Sequence, residues 1–403
     1  MLNYELLLKG GNVRDPSSGL TGVIDVAISG GRIAAVGPNI PAEDAVRVIY
    51  LSENDIVTPG LIDLHAHASW GITRHGCHPD EIGIYVGVTT VVDAGSTGSH
   101  TFLGFRLHVA RQVKTRLLCF LNLSFYGQAR MPELRSLEEL DPDLTHEVIR
   151  QNRDIIRGAK IRAVKPAVET IGPTLVDLAH EVLGELPLMV HIGDHGESPL
   201  ADEVTLEMVS RLRPNDIITH VYTPYPGRLL RDGEPAPELR EAKERGVVLD
   251  VARGRMNFSF DVAIRLMEHG FLPDTLSTDL TVMNRHFMVY CLTDVMSLFL
   301  SLGCPLDQVI LMTTHRPAQV LGLDHEIGSL RPGHRADVSV LRRVTGEFEF
   351  LAQPDQRFVG SQALYPTMCI REGAVHPAAP PRGSVGDRAK QMDDRPLPSV
   401  LQR

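Results

Sequence analysis

The sequence lacks the features that cross-link a small secreted protein or carry a chain through a membrane. Its five cysteines are odd in number, widely spaced and never in a Cys-x-x-Cys pair, so neither a disulfide framework nor a cysteine-based structural zinc site is indicated. No run of about eighteen apolar residues occurs, and the N-terminus, MLNYELLLKGG, has neither the basic start nor the cleavage site of a secretory signal. We therefore expect a cytoplasmic protein without a membrane partner.

An excess of positive charge is also absent. The chain has 40 Lys and Arg residues against 50 Asp and Glu residues, a formal net charge of -10 with both signs interspersed, so a nucleic-acid-binding surface is not predicted. No Gly-x-Ser-x-Gly motif indicates a serine nucleophile. With 403 residues, 43% of them apolar and 22% charged, the composition is typical of a large globular enzyme with a small-molecule substrate.

What the sequence does contain is a regular alternation of short apolar runs and segments of helical period. After Pro59-Gly60, eight β-branched or apolar runs begin at residues 61, 89, 116, 159, 187, 217, 247 and 274. Segments with apolar residues at three- and four-residue spacing separate most of them. This order predicts an α/β fold, a (β/α)8 TIM-like barrel whose active site forms at the C-terminal ends of the strands; a doubly wound sheet is the weaker alternative.

Strand-like alternation flanks the barrel on both sides in the sequence. We predict that residues 1–58 and 325–375 together form a small, discontinuous β-sandwich domain and that residues 59–324 form the barrel. Residues 376–403 combine proline, glycine and charge with little apolar surface. They are predicted to form a mobile tail or a strap against a neighbouring subunit.

Side chains that bind metals lie at or just beyond the ends of several predicted strands. His65 and His67 are two residues apart on one strand, so both project to the same side and can share one cation. His191 and His220 each end a buried strand, where an unpartnered imidazole costs free energy, and Asp279 lies near the end of the eighth strand. Taken singly, each is more often a hydrogen-bonded core residue than a ligand. Together they favour a metal centre.

Lys160, on the fourth strand, adds a less obvious donor. A free ammonium cannot bind a metal, but a lysine whose pKa is lowered near cations can take up carbon dioxide and become a carbamate, an oxygen ligand able to bridge two metals. Without the other candidates, Lys160 would be interpreted as a surface or salt-bridge lysine. The mixture of imidazole and oxygen donors suits zinc, with manganese, iron or cobalt as alternatives.

Several motifs resemble those of a known family. PGLIDLHAH, GVTTVVDAG and GSLRPGHRADV are similar to the first-strand, second-strand and sheet re-entry segments of the amidohydrolase superfamily. GAKIRA, LPLMVHIG, DIITHVY and LSTDL look closest to its dihydroorotase-like amidohydrolase/deacetylase metallohydrolases. The resemblance extends to about residue 373. It implies a homo-oligomeric, binuclear metal-dependent hydrolase that cleaves the amide or ester bond of a small carboxylate-bearing N-acyl amino acid or O-acyl hydroxy acid.

The resemblance also implies roles for the candidate ligands. The more buried metal would be bound by His65, His67 and Asp279, the second metal by His191 and His220, and both by carboxylated Lys160. Two divalent ions, in the first place zinc, would lower the pKa of a bound water and present a bridging hydroxide to the acyl carbon. Asp279 is the candidate proton shuttle between this water and the leaving amine or alkoxide.

Lys165 is the main departure from the relatives. Dihydropyrimidinase-like and hydantoinase-like proteins place a tyrosine five residues after the bridging lysine; a cation there could pair with a substrate carboxylate, although a structural lysine is an equal alternative. Further candidates for substrate binding are Arg253, Arg255, Tyr126 and Asn122. The chain also lacks a histidine two residues after Asp279. Loop histidines such as His75 and His195 are expected to be mostly solvated.

Three functions remain open on the sequence alone. The first is hydrolysis of an acyclic acyl substrate that bears a carboxylate. The second is hydrolysis of a cyclic amide, as in dihydroorotases and hydantoinases, which the same metal chemistry would support. The third is a metal-free, non-catalytic barrel, and the complete set of candidate ligands argues against it.

Overall fold

The computed structural model of the chain describes residues 3–352 and 355–402. The strands, in chain order, are β1 Tyr4–Asp15, β2 Leu20–Ser29, β3 Arg32–Gly37, β4 Ala45–Tyr50, β5 Asp55–Pro59, β6 Leu61–Ala66, β7 Val88–Ala94, β8 Arg116–Asn122, β9 Ile156–Arg162, β10 Leu188–His191, β11 Ile217–Thr219, β12 Leu230–Arg231, β13 Glu234–Pro235, β14 Val248–Asp250, β15 Val338–Ala352, β16 Gln356–Arg371, β17 Ala374–Pro377 and β18 Ser399–Gln402. The α-helices are α1 Pro79–Ile82, α2 Phe102–Phe105, α3 Pro142–Gln151, α4 Ala167–Thr170, α5 Thr174–Leu183, α6 Ala201–Ser210, α7 Pro237–Glu244, α8 Phe260–Glu268, α9 Leu292–Ser301, α10 Leu306–Thr313, α11 His315–Val320 and α12 Val385–Met392.

Seven parallel strands form the barrel sheet, in the order β6-β7-β8-β9-β10-β11-β14. They correspond to the first seven predicted runs. The sheet closes through the eighth run, where Thr275 bridges Asp250 and Leu280 bridges Ala66 in parallel orientation. The predicted (β/α)8 fold is therefore confirmed, although the eighth run is not a continuous strand.

The eighth run is irregular because its polar side chains bond to buried carboxylates. The hydroxyls of Thr275 and Ser277 each donate to Asp250 at 2.7 Å, and the hydroxyl of Thr278 donates to Asp63 at 2.5 Å. Asp279 then adopts a left-handed backbone, with φ of 51°, which ends the extended conformation. Side-chain hydrogen bonds thus close the barrel next to the candidate ligands.

Apolar side chains fill the barrel at the end where its strands begin. One buried cluster joins residues from six barrel strands and α11, among them Ile62, Val92, Leu118, Met189, Ile217, Val248 and Ala318. Gly158 is required within this packing, since a Cβ there would lie 2.4 Å from the ring of Phe120. The polar ends of the strands therefore lie over a densely packed base.

Capping residues fix where two of the covering helices begin. Asp141 accepts a hydrogen bond from the backbone N–H of Leu144, and Pro142 is the first residue of α3. Ser259 accepts one from the N–H of Val262 at the start of α8. Both are signals that can be located in the sequence.

Nine strands from the two ends of the chain form the second sheet, in the order β17-β16-β15-β5-β1-β2-β3, with β4 paired to β1 and β18. β1 pairs with β4 through its first half and with β5 through its second half. Leu6 and Leu8 pack in one buried cluster with Val338, whereas Leu7 packs in another with Val48. The two ends of the chain thus form one sheet domain beside the barrel.

The predicted tail, residues 376–403, lies on this sheet domain as far as the structure describes it. α12 packs against β15, β16 and α9, and β18 pairs antiparallel with β4. Arg342 donates to the carbonyl oxygens of Arg395 at 3.1 Å and Pro396 at 2.5 Å. The segment is therefore held by its own chain.

All five cysteines are buried, and none forms a disulfide within the described ranges. Burial raises the thiol pKa of each of them. A thiolate nucleophile is accordingly disfavoured. Among the same residues, no helix has both the length and the apolarity needed to cross a bilayer.

The Arg342–Asp55 ion pair offers a test of how the tail and β5 are held. Its Nε–Oδ1 distance is 2.7 Å, and both side chains are 1% exposed. Arg342→Ala leaves a buried carboxylate without its cation, so we expect the free energy of unfolding to fall by about 3–5 kcal/mol. Urea unfolding measures this, with the exposed neighbour Arg343→Ala as the control, expected to change stability by about 0.5 kcal/mol or less. Equal losses for the two variants would contradict the account.

Candidate metal centre

His65, His67 and Asp279 meet at the C-terminal mouth of the barrel. Asp279 Oδ1 lies 3.5 Å from His65 Nε2 and 3.3 Å from His67 Nε2, and one ligand atom from each residue falls within 4.8 Å of the others. The backbone of Asp279 is fixed by its N–H, which donates to the carbonyl of His65 at 2.7 Å, and by its carbonyl, which accepts from Asn284 Nδ2 at 2.8 Å. These three side chains can hold one divalent ion.

The other three candidate ligands lie beside this group. Lys160 Nζ is 3.2 Å from His65 Nε2. The ring centroid of His220 is 5.2 Å from that of His65 and 4.2 Å from that of His191. All six candidates from the ends of the strands are therefore neighbours in the folded chain.

Hydrogen bonds fix which nitrogen of His65 faces the site. Thr219 Oγ1 donates to Asp250 Oδ2 at 2.7 Å, so its oxygen accepts from His65 Nδ1 at 2.8 Å. The proton of a neutral His65 therefore lies on Nδ1, and the lone pair on Nε2 points toward Asp279 and Lys160. Such support orients a histidine for metal binding.

His220 is oriented in the same way. Its Nδ1 donates to the carbonyl of Ala252 at 2.8 Å, and its buried Nε2 has no hydrogen-bond partner among the described residues. Burial lowers the pKa of His220 to about 3, so the ring is neutral at physiological pH. A buried, unpartnered lone pair costs free energy, and a cation would satisfy it.

Lys160 and Asp279 have ionisation properties that suit their predicted roles. Burial lowers the pKa of Lys160 to about 7, which gives a substantial amine fraction, the form that reacts with carbon dioxide. Burial opposes ionisation of Asp279, but the hydrogen bond from His67 and the nearby His220 and Lys160 outweigh it and lower its pKa. The neutral imidazoles, the orphaned Nε2 and the carboxylate together fit a divalent metal.

A cleft of about 260 Å³ opens above these residues. Two arginines, Arg162 and Arg255, line it, together with His75, His195 and other polar side chains. Arg162 Nη1 pairs with the buried Glu133 at 3.1 Å. The cleft thus combines a candidate metal centre with cationic walls.

The remaining predicted substrate residues lie in different surroundings. Asn122 and Lys165 line a smaller pocket of about 150 Å³ that shares Arg162 and His195 with the cleft. Asn122 bonds to the backbone of Gly95 and Ser124, Lys165 Nζ pairs with Glu169 at 3.3 Å, and exposed Tyr126 packs on Phe125. Arg253 lines neither pocket; it lines a separate cavity.

Arg162 was not singled out in the sequence, although a signal was available. It stands two residues after Lys160 on β9, the same spacing that led to His65 and His67. Thr219 and Asp250 were also missed, since hydroxyls and carboxylates at strand ends carry no distinctive pattern. Their role depends on the register of β11 against β14, which pairs these two residues directly.

Most of the chain, including every candidate ligand, lies within a match to known proteins. The amidohydrolase family model matches residues 56–362. A protein of Agrobacterium fabrum named a deacetylase is 36% identical over 333 residues, which are 81% of this chain and 80% of that protein. Two solved structures are also similar. The structure of an adenine deaminase has a TM-score of 0.86 at 28% identity and covers 93% of this chain and 100% of the deaminase chain. The structure of a dihydroorotase has a TM-score of 0.83 at 32% identity and covers 94% of this chain and 99% of the dihydroorotase chain.

Thr219→Val tests the orientation of His65. The substitution keeps the side-chain shape but removes the hydroxyl between His65 and Asp250, so affinity for a divalent metal should fall about 10–100-fold. Titration of metal-free protein with zinc against a chromogenic chelator measures it. Thr205→Val is the control, because Thr205 is buried in α6, outside the candidate metal centre. Unchanged zinc affinity in Thr219→Val would count against this orienting role.

Proposed function

The chain belongs to the amidohydrolase family, and we propose that it is a divalent-metal-dependent hydrolase of a small, carboxylate-bearing N-acyl amino acid or O-acyl hydroxy acid. The observation that carries this proposal is the convergence of four histidines, Lys160 and Asp279 at the barrel mouth, where the Nε2 of His220 has no partner among the residues that the structure describes. The deacetylase name of the Agrobacterium fabrum relative supports the acyl substrate.

Two metal ions, zinc in our proposal, would be held by these side chains. The first would be bound by His65, His67 and Asp279, the second by His191 and His220, and carboxylated Lys160 would contact both. Ions bound there would lower the pKa of a water molecule and polarise the acyl carbonyl. The chain contributes the orientation of the imidazoles and the exclusion of bulk water from a mostly buried site.

Asp279 would move the proton. Its lowered pKa keeps the carboxylate ionised at neutral pH, and it is the candidate ligand whose side chain is most open to the cleft. An ionised carboxylate in this position can accept a proton from the attacking water and deliver it to the leaving nitrogen or oxygen. Gly254 allows the close approach, since a Cβ at that residue would lie 2.4 Å from Asp279 Oδ2.

Arg162 is our preferred partner for the substrate carboxylate, with Arg255 as a second cation in the same cleft. Arg162 lines both the cleft and the smaller pocket, and Asp279 lines the cleft, so a substrate carboxylate bound by Arg162 could share the cleft with Asp279. A guanidinium binds a carboxylate through paired, charge-assisted hydrogen bonds. Lys165 is less suited, because it lines the smaller pocket but not the cleft above the candidate ligands.

A cyclic amide substrate is the second candidate. The similarity to a dihydroorotase structure over almost the whole chain favours it. A screen of N-acetyl amino acids, O-acetyl hydroxy acids, dihydroorotate and hydantoins separates the two candidates. Turnover confined to the acyclic compounds supports our proposal, and ring opening alone would replace it with the second.

Asp279→Asn tests the proton transfer. The amide cannot take up the proton, so we expect kcat to fall by about 10²–10⁴-fold while part of the metal remains bound. Steady-state kinetics on the substrate found in the screen, together with metal analysis, measure both effects. The exposed Asp143→Asn is the control and should keep wild-type kcat. Wild-type turnover by Asp279→Asn would reject the assignment.

Arg162→Met tests carboxylate recognition. Loss of a charge-assisted pair should lower kcat/KM for an N-acetyl amino acid by about 10–100-fold. For the corresponding neutral N-acetyl amino acid amide, the loss should be much smaller. Lys165→Met is the matched comparison and should have little effect on either substrate. Two results would contradict the assignment of carboxylate binding to Arg162. One is a larger loss of kcat/KM in Lys165→Met than in Arg162→Met, and the other is an equal loss in Arg162→Met on the charged and the neutral substrate.

A further inference from the structure

A second cavity, which we call the rear pocket, is lined by Arg253, whereas Arg255, two residues further on, lines the cleft. Its volume is about 210 Å³, and it is enclosed by the loop 287–290, α9, α12 and residues 349–351 of β15. None of the residues that line the rear pocket also lines the cleft. The two cavities are therefore separate binding volumes.

The rear pocket contains a buried cation, Arg253. Arg253 is 3% exposed, and its guanidinium donates to the carbonyl oxygens of Gly254, at 2.9 Å, and Leu351. It also lies 4.7 Å from the ring of Phe258. Within residues 3–352 and 355–402, no carboxylate approaches the guanidinium within 4.0 Å. A buried charge is normally paired with an opposite charge. The described residues supply no such partner to the guanidinium of Arg253.

Burial lowers the pKa of Arg253 to about 9, and no acidic group acts against this shift. Asp294 and Glu349 also line the pocket, but both are engaged elsewhere: Asp294 accepts from the backbone N–H of Gly386 at 3.1 Å, and Glu349 pairs with the exposed Arg357 at 3.1 Å. At neutral pH Arg253 remains cationic. A second arginine, the exposed Arg388, also lines the pocket and donates to the carbonyl of Glu349 at 3.0 Å, so Arg253 is the buried one of two cations that a ligand would meet.

The rest of the wall is mostly apolar. Side chains that would contact a ligand body include Phe287, Val295, Leu298 and Phe350. Except for Phe287, which is 56% exposed, these are buried. A cavity of this size suits a small molecule, and the combination of the buried Arg253 with an apolar wall favours a ligand with a negatively charged group and a short hydrocarbon body.

We propose that the rear pocket binds a small amphipathic carboxylate, whose carboxylate group pairs with Arg253 and whose hydrocarbon part lies against Leu298 and Phe350. This site is additional to the hydrolytic site and does not depend on the function proposed for the cleft. The carboxylate would replace water or backbone as the partner of the guanidinium in a largely desolvated position, where a charge-assisted hydrogen bond is strong.

Hexanoate is the probe, with hexanamide as its neutral analogue and hexylammonium as its cationic one. Isothermal titration of the metal-loaded protein should give a Kd for hexanoate below about 1 mM, at least about 10-fold tighter than for either analogue. Arg253→Met should weaken hexanoate binding at least about 10-fold, whereas Arg162→Met, in the cleft, should leave it unchanged. Acetate, which lacks the hydrocarbon body, should bind more weakly than hexanoate.

Leu298→Trp is the second variant, because it fills the pocket and retains Arg253. It should also abolish hexanoate binding, and it keeps the proposal testable if Arg253→Met does not fold. Loss of binding in Arg162→Met with retention in Arg253→Met and Leu298→Trp would assign hexanoate to the cleft and overturn the proposal. Absence of binding, or equal binding of hexanoate and hexanamide, would overturn it as well.

Discussion

Closure of the barrel by residues 274–280 is the constraint on which the site depends. Two backbone hydrogen bonds join this run to β6 and its C-terminal end: Asp279 N–H donates to the carbonyl of His65 at 2.7 Å, and His67 N–H donates to the carbonyl of Leu280 at 2.9 Å. The pairing that closes the sheet therefore also places the Asp279 carboxylate next to the imidazoles of His65 and His67. Asp63 and Asp250 reinforce it through the hydroxyls of Thr275, Ser277 and Thr278, so fold and site are stabilised together.

The mouth of the barrel is electrostatically unusual without a cation. Burial raises the pKa of Asp63 to about 7 and also raises those of Asp93 and Asp250, while it lowers the pKa values of His65, His191 and His220. The carboxylates accept hydrogen bonds from neighbouring hydroxyl and N–H groups, whereas among the described residues the Nε2 atom of His220 has no hydrogen-bond partner. Divalent metals would supply the missing positive charge, which is the physical basis of the proposed metal-dependent hydrolysis.

Much of the fold could be predicted because most barrel strands are short runs rich in apolar residues and the candidate ligands lie at or near their ends, as His191 does after Leu188–Val190. Arg162 could have been found by the spacing that identified His65 and His67. The direction of the Arg253 side chain could not be predicted from the sequence. Ala252 and Gly254 on either side of it have positive φ values of 39° and 48°, so the alternation expected of an extended segment fails and the side chain turns away from the cleft. Likewise, the support of His65 by Thr219 depends on strand register, which a single sequence does not contain.

The central claim is that hydrolysis at this barrel mouth depends on metals held by the chain's own imidazoles and carboxylate. Its most direct test is elemental analysis combined with activity on acyl amino acids, made on one preparation as purified, after chelation and after reloading with zinc. The account predicts about two ions per chain, loss of both metal and turnover on chelation, and recovery of both on reloading. Undiminished turnover by protein that is free of metal would contradict it.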